Sequence, residues 1–269
     1  MIHELSGPRL HIARLNRMSV SPDHEIPRKL AAKQGLQWVN EGFRLYRQNP
    51  LLLSAAFGLL FGAVAVANLI PIVGSVLSEL ISPLMVAGFM AAYRTLDRKE
   101  TLQWSHFLAG INGPWLALIM IGAVQLLGML LITQIMLRMG FDVHAVMVAA
   151  QKSDPVVVQN AMSQATLSGL MTGLLLLLPL IMATWFAPAL ILFGNARPAQ
   201  ALLISLRAVA RNWRAIIVNG LALGMMLFVS ALIPFMLGLL VAMPVLFGSL
   251  YAGYQGIFAV WAEEGTEEG

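Results

Sequence analysis

The chain of 269 residues contains no cysteine, which excludes disulfides, thiolate metal sites and cysteine nucleophiles and leaves the redox compartment open. Charge is scarce as well: Asp, Glu, Lys and Arg make up 11% of the residues, against about 25% in a soluble domain. No G-x-S-x-G, H-E-x-x-H, phosphate loop or dinucleotide fingerprint occurs. The five histidines are scattered, with His3, His11 and His24 in the N-terminal tail, so the three or four converging ligands of a metal site are not expected. Neither a cofactor nor a catalytic residue is expected from these patterns, and the chain reads as a non-enzyme.

What remains is 58% hydrophobic, with a mean hydropathy of +0.77, and this describes a surface that meets lipid. Charge-free runs mark the crossings, because a lysine, arginine or aspartate at the bilayer centre costs roughly 2.5 to 3.5 kcal/mol. They predict spans at 51–70, 111–137 and 169–192 and two more within 215–262, hinged near Pro234 to Gly238, while 73–93 reads as a return span interrupted only by Glu79. The fold class is therefore all-α, a polytopic membrane protein of six transmembrane helices.

Basic residues stay on the cytoplasmic side. One side collects Arg9, Arg14, Arg17, Arg28, Lys29, Lys33, Arg44 and Arg47, then Arg94, Arg98 and Lys99, then Arg197, Arg207, Arg211 and Arg214. The other holds only Arg138 and Lys152. Both termini are thus expected in the cytoplasm, in a multi-pass bacterial inner-membrane arrangement. Residues 1–27 lack an apolar signal core and read as a disordered polar tail, with Met18 a second candidate start beside Met1. The membrane domain is placed at 28–262 and an acidic cytoplasmic tail at 263–269. A pI near 9.8 calls for anionic lipid, with no nucleic-acid partner.

An internal repeat emerges when position 44 is laid on position 207. Arg44 then meets Arg207, Asn49 meets Asn212, and Ile70-Pro71 meets Ile233-Pro234; after a two-residue deletion Pro83 meets Pro244 and Tyr93 meets Tyr254. Each copy reads as an amphipathic helix, an outward span, a proline-containing turn and an inward span. In the first copy Gly35, Trp38, Val39, Gly42, Leu45 and Tyr46 form an apolar stripe, opposite Lys33, Arg44 and Arg47. A degenerate middle copy begins with Trp104, Phe107, Leu108 and Ile111. Three parallel repeats, each a cytoplasmic amphipathic helix plus a hairpin, are the expected architecture.

Segment Arg28-Lys29-Leu30-Ala31-Ala32-Lys33-Gln34-Gly35-Leu36-Gln37-Trp38-Val39, with Gly42-Phe43-Arg44-Leu45-Tyr46-Arg47-Gln48-Asn49-Pro50, resembles the start of a family of uncharacterised proteobacterial inner-membrane proteins. The resemblance spans about 28–262 and implies a basic, tryptophan-containing surface helix ending at the proline that opens the first span. More distantly, the surface helix plus hairpin looks like the membrane domain ahead of some glycerophosphodiester phosphodiesterases. No phosphodiesterase domain accompanies it, so no activity is implied.

The candidate positions follow from this frame. Arg44, Arg47, Arg207, Arg211 and Arg214 are expected to contact lipid phosphates, and Trp38, Trp104 and Trp213 to anchor at the interface. Glu79, the single ionisable residue inside a span, is expected near Asn68 at a shallow external cavity. Gln125, Gln134, Thr184, Asn219, Ser230 and Gln255 are expected to hydrogen-bond between helices, and the pairs Gly58/Gly62, Gly169/Gly173 and Gly220/Gly224 to pack within the bundle. Function is expected to be the organisation of membrane lipids or partner proteins, homo-oligomers among them. The alternative is a small-solute or lipid transport component with its path between repeats.

Overall fold

A computed structural model of the chain describes residues 27–70, 72–152, 156, 159, 166–234 and 237–258. The two expected tails, apart from residue 27, lie outside these, as do Met18 and Pro71 of the first turn. Among the described residues there are helices and no strands: α1 (Gln34–Tyr46), α2 (Pro50–Ala67), α3 (Val73–Asp97), α4 (Trp104–Phe107), α5 (Ala109–Asn112), α6 (Trp115–Arg138), α7 (Val143–Lys152), α8 (Leu167–Thr184), α9 (Ala187–Gly194), α10 (Pro198–Arg211), α11 (Trp213–Ala231) and α12 (Leu239–Phe258). Six stretches are long and apolar enough to cross a membrane, namely α2, α3, α6, α8 with α9, α11 and α12. The shortest, 18 residues, extends about 27 Å at ~1.5 Å per residue.

Local chemistry sets the helix ends. Asn49 caps α2 by accepting from the Leu52 amide at 3.3 Å, and Pro50 takes the first turn, where a missing N–H costs nothing. The fourth crossing is broken at Trp185 and Phe186 because Pro188 cannot continue the α8 hydrogen-bond ladder. In lipid such a break would strand backbone groups without water. Ser205 of α10 repairs it: its hydroxyl accepts from the Phe186 amide at 2.9 Å and donates to the Met182 carbonyl at 2.8 Å.

The long helix α3 stands in the middle, packed against α2, α6, α9 and α12, with Phe89 stacked on Phe247 at 4.5 Å and edge-on to Phe107 at 5.3 Å. Each short helix ahead of a hairpin packs on a different hairpin. α4 and α5 lie on α3, α10 lies on α8 and α9, and α1 lies on α11 and α12.

This last contact corrects the reading of α1 as a helix resting on lipid. Its apolar stripe finds protein instead, because Gly35 and Gly42 present no Cβ and let its backbone meet the Ala215 carbonyl on one side and the Ser249 amide on the other. Trp38, expected among headgroups, is accordingly only 4% exposed and packs against Gly253 and Gly256. The glycine pairs also divide. Gly169 and Gly173 are crowded by Phe141 and Met136, whereas Gly62, Gly220 and Gly224 have open space where a Cβ would go, so they do not serve packing within the bundle.

Candidate functional site

One end of the bundle gathers the arginines other than Arg138. Asn212, at the junction of α10 and α11, accepts from the Leu30 amide at 2.8 Å and donates to the Arg28 carbonyl at 2.8 Å, tying the segment before α1 to the start of α11. Arg44 is committed elsewhere than to lipid: it is ion-paired with Glu41 and lies 3.7 Å from Asp97 at the end of α3. The Glu41 hydrogen bond, reinforced by the Glu41 and Asp97 charges against slight burial, raises the Arg44 pKa above its usual value. Asp97 also accepts from the Tyr251 hydroxyl at 3.0 Å, which in turn accepts from Gln255 at 2.6 Å. This network clamps α1, α3 and α12 together.

Arg47, Arg207, Arg211 and Arg214 differ from Arg44. All four are exposed, and among the described residues none has a carboxylate within 4 Å. Trp213 is half exposed beside the Arg214 guanidinium, which lies 5.2 Å from the ring centre. Trp104 is half exposed too, on the one-turn helix α4. Arg94 and Arg98, used in the sequence only to set orientation, line a cavity of about 290 Å³ with Thr95 and Glu100. The Arg94 guanidinium sits 4.8 Å over the Phe193 ring.

Towards the opposite end, Asn68 and Glu79 hydrogen-bond to different partners. Asn68 donates to the Val64 carbonyl at 2.8 Å and to Ser78 at 2.9 Å, closing the α2–α3 hairpin. Glu79 instead faces α6, where Gln125 donates to its carboxylate at 3.2 Å. The physical reason is register: one residue further along a helix turns the side chain about 100°, from the hairpin partner to the next helix.

Gln125 leads to a half-open cavity of about 340 Å³ inside the bundle, bounded by α3, α6, α8, α9, α11 and α12. Its walls are apolar, with Ile121, Trp185, Leu223 and Phe247 prominent. Four polar residues interrupt them: Ser82, Gln125, Thr184 and Asn219. Ser82 and Thr184 spend their hydroxyls on carbonyls of their own helices. The Asn219 carbonyl oxygen accepts from Ser249 at 2.6 Å, the interhelical use anticipated from sequence, but only one end of the amide is occupied. Sequence reasoning missed the cavity itself, since Trp185 and Pro188 read as ordinary members of an apolar run; the proline that breaks the crossing was the available signal.

These helices and crossings define an all-helical integral membrane protein with six candidate membrane-spanning segments. No known protein family and no solved structure matches the chain. It is similar to a probable inner membrane protein of Burkholderia thailandensis, 29% identical over 263 residues that take in 86% of this chain and 93% of the relative.

Proposed function

We propose that this chain is a non-enzymatic inner-membrane component that organises anionic lipid, or proteins that travel with it, through its arginine-bearing end. The observation that carries the reading is the set Arg47, Arg207, Arg211 and Arg214, exposed and free of carboxylates among the described residues. A cation near an anionic leaflet contributes about 1 kcal/mol, or roughly fivefold in binding. Arg94 and Arg98 add a second place for a phosphate group. We take this end as cytoplasmic, with both termini there, because the basic residues collect on it.

The three-repeat architecture is part of the same proposal. The pattern in which each leading helix is handed to another hairpin supports it, as does the pairing of Tyr93 with Tyr254 at equivalent positions. The likeness to the membrane domain ahead of glycerophosphodiester phosphodiesterases belongs here as well, as an architectural parallel without activity.

The test is lipid co-purification. Replacing Arg47, Arg207, Arg211 and Arg214 together by glutamine should lower the phosphatidylglycerol and cardiolipin retained by the purified full chain by more than tenfold relative to phosphatidylethanolamine. Unchanged anionic lipid would refute it. The mid-bundle cavity favours one second reading, a lipid transport component with its path between repeats; accelerated transbilayer movement of labelled lipid in reconstituted vesicles would decide for it.

A further inference from the structure

We infer that the cavity between α8–α9 and α11 is a binding site for an uncharged single-chain lipid whose end carries a carbonyl and a hydroxyl, a monoacylglycerol in chemical class. The inference deepens the lipid reading above but rests on other residues.

Depth comes first. Asn219 lies about 9 Å along α11 from Trp213, and Gln125 about 15 Å along α6 from Trp115, so the cavity sits within the hydrocarbon region of the crossings. Access comes next. α11 has no substantial contact with α8 or α9 among the described residues, although all three border the cavity. These helices are all membrane-crossing candidates, so a ligand reaches the gap between them sideways from lipid.

Size and polarity narrow the occupant. A volume of about 340 Å³ is at the small end of the ~300 to 1,000 Å³ typical of ligand sites, which suits a small headgroup with part of one chain, the rest leaving through the open side, and excludes a whole phospholipid. No charged residue borders the cavity, so a phosphate or carboxylate there would be desolvated without compensation. Yet the site is not a plain hydrocarbon slot. Asn219 is 2% exposed, and its amide nitrogen makes no hydrogen bond among the described residues while its oxygen takes Ser249. Whichever way that amide is turned, one end is left over. Gln125 likewise gives its nitrogen to Glu79 and leaves its oxygen unused. In lipid an amide with an empty end is costly, and a ligand that offers an acceptor to Asn219 and a donor to Gln125 removes the cost. An ester carbonyl beside a hydroxyl supplies both without charge. Trp185 and Phe247 close the apolar part around the chain.

The experiment uses the full chain in phosphatidylcholine vesicles and a monooleoylglycerol carrying a photoreactive diazirine in its acyl chain. Labelling should map to peptides from α8–α9 and α11, and unlabelled monooleoylglycerol should compete. Methyl oleate, which lacks the hydroxyl, and phosphatidylglycerol should compete about tenfold less well. Asn219→Leu should weaken labelling by about tenfold. Since that change also frees Ser249, Leu223→Phe serves as a second variant that fills the cavity and leaves the Asn219–Ser249 bond in place; it should abolish labelling at these helices. Equal competition by methyl oleate, or labelling that survives Leu223→Phe, would overturn the inference and leave the cavity filled by ordinary bilayer chains. The arginine variants of the preceding test should label normally, so the two proposals can fail separately.

Discussion

Alanine at Gly42 would place a Cβ 2.4 Å from the Ser249 amide nitrogen and 2.8 Å from the Val245 carbonyl oxygen. Both are backbone atoms of α12, so no side chain can rotate away, and α1 must shift off the bundle. Overpacking of this kind costs about 1 to 3 kcal/mol, a 5- to 150-fold loss in the docked population of α1. The shift also opens the seat of Trp38, which is nearly sealed in the native packing. Gly62 is the matched control. A Cβ there meets nothing within 4 Å, and alanine is the better helix former by up to about 1 kcal/mol. In detergent, Gly42→Ala should therefore lower the unfolding temperature, red-shift tryptophan emission and speed amide exchange across 34–46, while Gly62→Ala should do none of these. If the two variants behave alike, α1 is not held by close backbone approach and its description as a docked helix is wrong.

Two further outcomes follow from named contacts. Asn212→Ala removes both hydrogen bonds to the segment at Arg28 and Leu30, which should cost about 1 to 2 kcal/mol and make trypsin cleave at Arg28 and Lys29 severalfold faster, with the crossings still intact. Because the chain has no cysteine, single replacements report sidedness without background. Arg98→Cys in intact cells should resist a membrane-impermeant maleimide while Met139→Cys reacts, and the reverse result would invert the proposed orientation.

Charge carries long-range information in a chain like this one, so the sequence alone was enough to count the crossings. A charge-free run of about 20 residues has one favourable medium, and the six observed segments differ from the expected ones by a few residues at their ends. The basic stripes were legible for the same reason: Arg47, Arg207, Arg211 and Arg214 stand exposed where helical periodicity puts them. Periodicity specifies a face, however, and says nothing of what covers it. Trp38 on α1 and Trp213 on α11 look alike in sequence, yet the first is sealed in protein and the second is half exposed. The difference lies in Gly35 and Gly42, whose effect depends on which backbone approaches them.

The site shows the same division. That Gln125 and Asn219 would hydrogen-bond between helices could be expected from their depth, and one end of each does. That the other ends are left over beside one cavity depends on the gap between α11 and α8–α9, and hence on the break at Pro188 and its repair by Ser205 across 19 positions of chain. Composition and spacing settle how much of a chain enters lipid and which residues stay at its edge, because those are sums over single residues. Cavities and unpaired amides arise from pairs of helices meeting at an angle, and that geometry exists only once the bundle has packed.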